Sequence, residues 1–413
     1  MRSRLLLLAL LLAGCSQREH TNPLDPDNPN TGGGPAGFMA IAGDGRVDLS
    51  WSPVTGTSGI LGFHLYRQTG SNPYQLISGL LPPASAGYAD LGTLNGLEHR
   101  YRLYLVNEEG VDRQPPASDV ATPGRARGWV VDNKRQALYR ITPDGRRVVR
   151  TFGGFSGPVA VAVDSVTGFV WVSDRLAGRV AILNPATGVT INVPGLGYPS
   201  TLTVDPLQGM AWVCDEPGRL WSFDPFGRPI GGAIEPLQFP IGVAVDVFDR
   251  SVVVCERDGN RLRRYAPDHS PLAEITVNRP SRVAIDSVTR RAWVTSFQSR
   301  TVTRVPPSFT FIEATLQGFQ GPVGVAVDAH RGRIWVADAI ADQLVALDRS
   351  GTVQFRVSGL NSVSDVAVDQ GTGQVWAVLE EEGQVVRISS TGTIMSRLSA
   401  FAQPLGVAVD PGR

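Results

Sequence analysis

The chain has 413 residues, 42% of them hydrophobic and 18% charged, enough for two or more ordinary domains. Its 38 basic residues balance 38 acidic ones, so the positive surplus that phosphate binding needs is missing and a nucleic-acid partner is disfavoured. Three cysteines rule out a disulfide scaffold, and 46 glycines with 30 prolines suit short strands joined by tight turns.

Arg2 and Arg4 precede an apolar run from Leu5 to Ala13. At about 1.5 Å per helical residue the run falls far short of the ~30 Å bilayer core, so it is the apolar stretch of a signal peptide and not a span. Leu12-Ala13-Gly14-Cys15 resembles a bacterial lipobox. The resemblance implies cleavage after residue 14, a diacylglyceryl group on the Cys15 thiol and acylation of the new amino terminus, which together anchor a protein stably. Ser16 stands where an inner-membrane retention signal carries Asp, which implies the outer membrane. Residues 15–35 hold four prolines and a glycine run with almost no apolar content, and are expected to form an extended tether. Asp25, Asp27, Asn28 and Asn30 in this stretch lack the glycine and distal glutamate of a calcium loop.

Residues 36–123 alternate between short strand patterns and turn clusters, with strands expected at Val47–Trp51, Phe63–Arg67, Tyr74–Ile77, His99–Asn107 and Ser118–Thr122. Tyr101, Leu103 and Leu105 share one face at period two, a face expected to meet Trp51 across a core. The segments VDLSWSPV, GFHLYRQ, YRLYLVNEEG and ASDVATP resemble a fibronectin type III domain. That family's corner tyrosine falls on His99 here, so the resemblance implies that His99 ties down the corner backbone. His64 is expected to be a half-exposed strand residue.

From residue 124 the chain is periodic. PVAVAVD ending at Asp164 recurs in altered form at Asp205, Asp246, Asp286, Asp328, Asp369 and Asp410, at intervals of 41, 41, 40, 42, 41 and 41 residues. Seven places after each of the first six aspartates come Trp171, Trp212, Val253, Trp293, Trp335 and Trp376. Only three residues follow Asp410, yet the stretch from Gly128 resembles a unit without its first strand, and splicing it to the C-terminus restores Trp129 to the pattern. A period of about 41 residues with four short strands is that of a β-propeller blade. The expected fold is therefore all-β: a fibronectin type III-like sandwich, then a seven-bladed β-propeller over residues 124–413 whose first blade is closed by the C-terminal strand. The unit PVGVAVDAHRGRIWVADAIADQLVALDRSGTV resembles the NHL repeat family.

The repeated aspartates at the end of the first strand are expected to be turn residues, because all units need them. A second set follows the second strand: Asp132, Asp174, Asp215, Glu256 and Asp338. Five carboxylates around one mouth could hold a hard cation such as Ca²⁺. The competing expectation is that they cap turns and pair with Arg175, Arg219 and Arg257. Two places after the opening proline, most units carry a small residue, but Thr201, Arg282 and Asp365 depart from that, the last two with charge. These three are the candidate ligand-binding residues, with a salt bridge between Arg282 and Asp365 as the alternative. Cys214 and Cys255 occupy equivalent places in adjacent units, and their separation predicts free buried thiols.

Propeller lyases rely on histidines in the channel, whereas His269 and His330 fall in hairpin turns on the opposite face and His20 lies in the tether. No zinc-protease, serine-hydrolase, phosphate-loop or dinucleotide motif is present either. The sequence thus leads to a non-catalytic, lipid-anchored envelope protein without an obligatory cofactor, binding a protein or glycan through its loop face. A metal- or carboxylate-dependent lactonase- or lyase-like enzyme is the alternative.

Overall fold

A computed structural model describes residues 35–54, 59–108, 116–125 and 127–410. Cys15, its lipobox and the tether up to residue 34 lie outside the described residues. The chain divides into two compact units, one built mainly from residues 46–93 and 97–121, the other from Thr122 onward. No helix among the described residues is long and apolar enough to cross a membrane.

In the first unit, Met39–Ala42, Val47–Ser50 and Gly87–Asp90 form one antiparallel sheet. Gln75–Leu76, Ile60–Thr69, His99–Asn107 and Ala117–Ala121 form the other. Period-two alternation buries Tyr101, Leu103 and Leu105 together with Phe63 and Leu65, and Trp51 meets Phe63 edge-on at 5.6 Å. The Tyr101 hydroxyl donates to Asp90 at 2.9 Å, and Arg67 donates to the same carboxylate at 2.9 Å. His99 is buried, and its Nδ1 meets the Thr69 hydroxyl at 2.9 Å, the residue facing it across the strand pair. His64 is half-buried in the middle of its strand.

The second unit is a succession of antiparallel sheets, four-stranded save one, whose innermost strands are Pro158–Val163, Pro199–Val204, Pro240–Val245, Arg282–Ile285, Pro322–Asp328, Val363–Val368 and Pro404–Asp410. The last of these pairs with Arg127–Asp132 near the start of the unit, with Ala408 opposite Trp129. One sheet is therefore built from both ends of the unit, with an inner strand like those of the other sheets. This is a β-propeller.

Where the opening proline is part of the strand, it faces the last residue of the second strand, as Pro158 faces Asp174 and Pro322 faces Asp338. The ladder shifts register directly after it. Proline suits that place because the bulge relieves it of a ladder N–H.

Trp129, Trp171, Trp212, Trp293, Trp335 and Trp376 are the largest fully buried side chains. Each projects from its second strand into the next sheet: Trp171 packs with Leu202 and Val204, Trp335 with Val363 and Val366. Trp376 packs with Val130 and Val407, carrying the same contact across the junction of the two ends. Gly128 makes room there, since a Cβ on it would lie 2.7 Å from the Trp376 ring.

The recurring aspartates close the hairpin after the first strand. Asp164, Asp205, Asp246, Asp286 and Asp369 each accept the backbone N–H two residues on, and Thr167 and Thr372 add hydroxyl bonds at 2.5 Å. Several also receive an arginine from a neighbouring sheet, as Asp286 does from Arg349 at 2.7 Å.

Replacing Trp335 by Ala leaves a cavity between two sheets and should lower the unfolding free energy by about 3–5 kcal/mol. Urea denaturation followed by fluorescence checks this, and Trp335→Phe should cost distinctly less.

Candidate functional site

The loops that lead into the first strands and out of the second strands share one face of the propeller. They surround a pocket of about 540 Å³ at its centre, to which every inner strand or its flanking loop contributes, from Val159 and Ser200 to Val363 and Leu405. The charged groups in its wall are Arg175, Arg257, Arg282, Glu216 and Glu380.

The carboxylates expected to form a metal ring are not brought together. Asp132, Asp174, Asp215, Glu256 and Asp338 are all fully buried, each inside its own sheet. Asp174 accepts the N–H groups of Ser156 and Gly157 at 2.9 and 2.8 Å, and Asp215 those of Gly197 and Tyr198. Asp338 takes Gln320 and Gly321, and Asp132 takes Ala402 and Gln403. Glu256 takes Gln238 and is paired with Arg261 and Arg263. The oxygens are spent on the loop just before each opening proline, where N–H groups would otherwise be orphaned. Among the described residues no group of three or more histidines, cysteines, aspartates or glutamates is placed to hold a metal ion. Of the arginines expected as partners of this ring, Arg219 lies 3.8 Å from Asp215, but Arg175 pairs with Glu216 and Arg257 with Asp258.

The other candidates separate. The column two places after the proline is narrow: a Cβ on Gly242 would lie 3.1 Å from the Arg282 Cα, and one on Gly406 3.2 Å from the Ala160 Cα. Larger residues there bond to a neighbouring inner strand. Thr201 donates its hydroxyl to the Ile241 carbonyl at 2.5 Å, and Asp365 accepts the Val407 N–H at 3.1 Å. Burial pushes the Asp365 carboxyl above the usual carboxylate range, opposed by that N–H and by the charge of Arg282. No salt bridge joins Asp365 to Arg282 among the described residues, although the charge of Arg282 acts on the Asp365 carboxyl. Of the three candidates, only Arg282 lines the pocket.

Three pocket residues, Glu216, Glu380 and Ser364, escape the sequence reading, and Arg257 is placed otherwise than expected. Glu216 is held by Arg175, and burial raises its carboxyl above the ordinary value against the pull of Arg175 and Arg257. Glu380 accepts the Gln403 amide at 2.8 Å. Ser364 has a buried hydroxyl oxygen with no hydrogen-bond partner in the protein. The guanidinium of Arg257 lies 3.7 Å from the centre of the Phe239 ring. Arg175, Glu216, Arg257 and Glu380 all immediately follow the second strand, a column whose variation from unit to unit was the available signal.

The remaining histidines lie elsewhere. His269 shares a hydrogen bond of 2.8 Å with Ser222 and packs near Trp212, and His330 Nδ1 meets the Gln370 carbonyl at 2.9 Å. Cys214 and Cys255 are free and buried, with the Cys214 thiol pushed up to about 12 by burial. Burial raises the Cys255 thiol as well.

No protein-family model matches the chain. Amylopullulanase from Thermoanaerobacterium saccharolyticum is 31% identical over 117 residues, which is 27% of this chain but only 9% of that protein. Among solved structures, streptogramin B lyase superposes with a TM-score of 0.55 at 15% identity, covering 68% of this chain and 91% of that one. A functionally unknown protein from Desulfotomaculum acetoxidans gives 0.60 at 13% identity, over 70% and 99% of the two chains. Virginiamycin B lyase from Staphylococcus aureus gives 0.53 at 17%, over 66% and 88%. At these identities the likeness is one of fold, and the fold class is the β-propeller. The expectation of a non-catalytic protein is corrected here, because the propeller is shared with lyases and the lack of a channel histidine does not remove the chain from the enzymes.

Asp338→Ala strips the partner from the Gln320 and Gly321 N–H groups and should cost about 1–3 kcal/mol in urea denaturation. Calcium added to chelator-stripped protein should leave the transition midpoint unchanged.

Proposed function

We propose that the chain is a lipid-anchored cell-envelope protein whose propeller takes a ligand into the central pocket and acts on it in the manner of a lyase or lactonase. The observation that carries this is the pocket itself: about 540 Å³, walled by loops from the whole ring, with a half-buried carboxyl, Glu216, set beside a guanidinium. A carboxyl whose proton affinity is raised by burial is suited to acid–base work. Arg175 would orient it, and Arg282 would hold the ligand.

In the same reading the propeller has seven blades, the first completed by the strand Pro404–Asp410, and residues 36–123 form a fibronectin type III-like domain serving as spacer or second contact. Residues 1–14 are the signal peptide, Cys15 carries the lipid, residues 15–35 form the tether, and the outer membrane is the destination. A second reading, docking of a protein or glycan on the loop face, is favoured by the exposed Leu176, Tyr198, Phe297 and Ile340 in the loops of that face.

The test is a mass-spectrometric assay of the full chain against lactones and cyclic depsipeptides, quinupristin among them. A virginiamycin B lyase structure from Staphylococcus aureus contains quinupristin. Turnover should fall at least about 100-fold in kcat/KM for Glu216→Gln, the scale on which acid–base groups contribute. The wild-type rate should change with an ionisation above the usual glutamate value of about 4.3. An inert wild type across the panel, with ligand binding intact, would sink the enzymatic reading in favour of docking.

A further inference from the structure

We infer that the ligand of the central pocket is a monocarboxylate with a neutral or apolar body, and that Arg282 is the residue that selects it. The inference rests on the pocket being the functional site, and names the class of ligand admitted there.

The case begins with the charges. The pocket wall carries three guanidinium groups, Arg175, Arg257 and Arg282, against two carboxylates, Glu216 and Glu380, which leaves a surplus of one positive charge. Arg175 is paired with Glu216 and Arg257 with Asp258, while among the described residues no acidic oxygen lies within 4.0 Å of Arg282. Arg282 is thus the wall arginine without a salt bridge, although its charge acts on the buried Asp365 carboxyl. It is half-buried, where an ion with no partner is costly and a complementary anion is correspondingly favoured.

Geometry narrows the anion. Arg282 Nη1 donates to the Ile241 carbonyl at 2.7 Å, which pins one side of the fork to a neighbouring inner strand. A guanidinium has five N–H donors, so the other side remains for a planar two-oxygen acceptor. A surplus of one charge matches a carboxylate, whereas a phosphate monoester near neutral pH brings up to two charges into a site that also contains Glu216 and Glu380.

The rest of the wall sets the body of the ligand. Val159, Ile241, Val323, Val363 and Leu405 supply apolar surface around the same cavity, which suits an acyl or short peptidyl group and not a second charge. The column in which Arg282 stands supports the same assignment. Its other members are small or are spent on neighbouring strands, so the ring does not require an arginine there.

The test uses N-acetyl-leucine and N-acetyl-leucyl-alanine as probes, each compared with its C-terminal amide, titrated calorimetrically into the full chain in detergent at pH 7. The acids should bind in the micromolar-to-millimolar range and the amides at least about 10-fold more weakly. Arg282→Gln should abolish that difference, Arg282→Lys should keep part of it, and Arg228→Gln, an exposed residue on a hairpin, should change nothing. Thermal melts confirm that each variant is folded. Equal binding of acids and amides, no binding of the acids, or an Arg282→Gln protein that still prefers acids would each overturn the inference. The proposed activity is read separately through Glu216→Gln on neutral lactones, so turnover without carboxylate preference would discard this inference alone.

Discussion

A circular array of sheets holds its shape only if its two ends meet, and here they meet in a single strand pair. Pro404–Asp410 runs along Arg127–Asp132, placing Ala408 beside Trp129 and returning Trp376 to the packing between Val130 and Val407. The contact between the ends is the same contact that recurs between successive sheets, so the junction is no weaker in kind than the rest of the ring. The tryptophans do this by volume. The indole N–H groups of Trp129, Trp171, Trp212, Trp293 and Trp335 are buried without a partner, a cost accepted for the area that each ring removes from water.

With the ring closed, the two sets of acidic side chains divide the work of its two faces. The aspartates after the first strand fasten hairpins on one face and several accept an arginine from a neighbouring sheet, as Asp246 does from Arg290 while Arg264 of its own sheet reaches the same carboxylate. The acids ending the second strand turn inward and hold the loops of the other face by their N–H groups. A fully buried carboxylate with two N–H donors costs little relative to one exposed to a dry core, and it fixes a loop that has no ladder of its own. The mouth pocket is walled by those loops, so its rigidity rests on residues that never touch a ligand.

Much of this was legible beforehand because the repeats write the same instruction many times. A 41-residue period, a recurring tryptophan and an orphaned first strand at the C-terminus were enough for an all-β propeller and for the pairing of its two ends. The site was less legible for the same reason. Five acids in equivalent places, Asp132 to Asp338, suggested one shared metal, but repetition in sequence becomes separation in space, and each acid serves its own sheet. Thr201 and Asp365 broke the pattern and still proved to be ties between strands, because that column lies about 3 Å from the next backbone. Glu216 was hidden one residue past the repeat, where nothing in the spacing distinguishes a loop residue from a pocket wall.

Arg282 departs from the pattern in a different way from Thr201 and Asp365. Thr201 and Asp365 are short, and their polar atoms reach only as far as the adjoining strand. An arginine in the same column is long enough to bond that strand at the Ile241 carbonyl and still present its remaining donors to the pocket. Thr201 meets the same carbonyl from the other side, so the contact that anchors the arginine is shared with the framework of the ring. The guanidinium is thereby held in place before any ligand arrives. For the carboxylate ligand proposed above, that placement would reduce the ordering cost of binding.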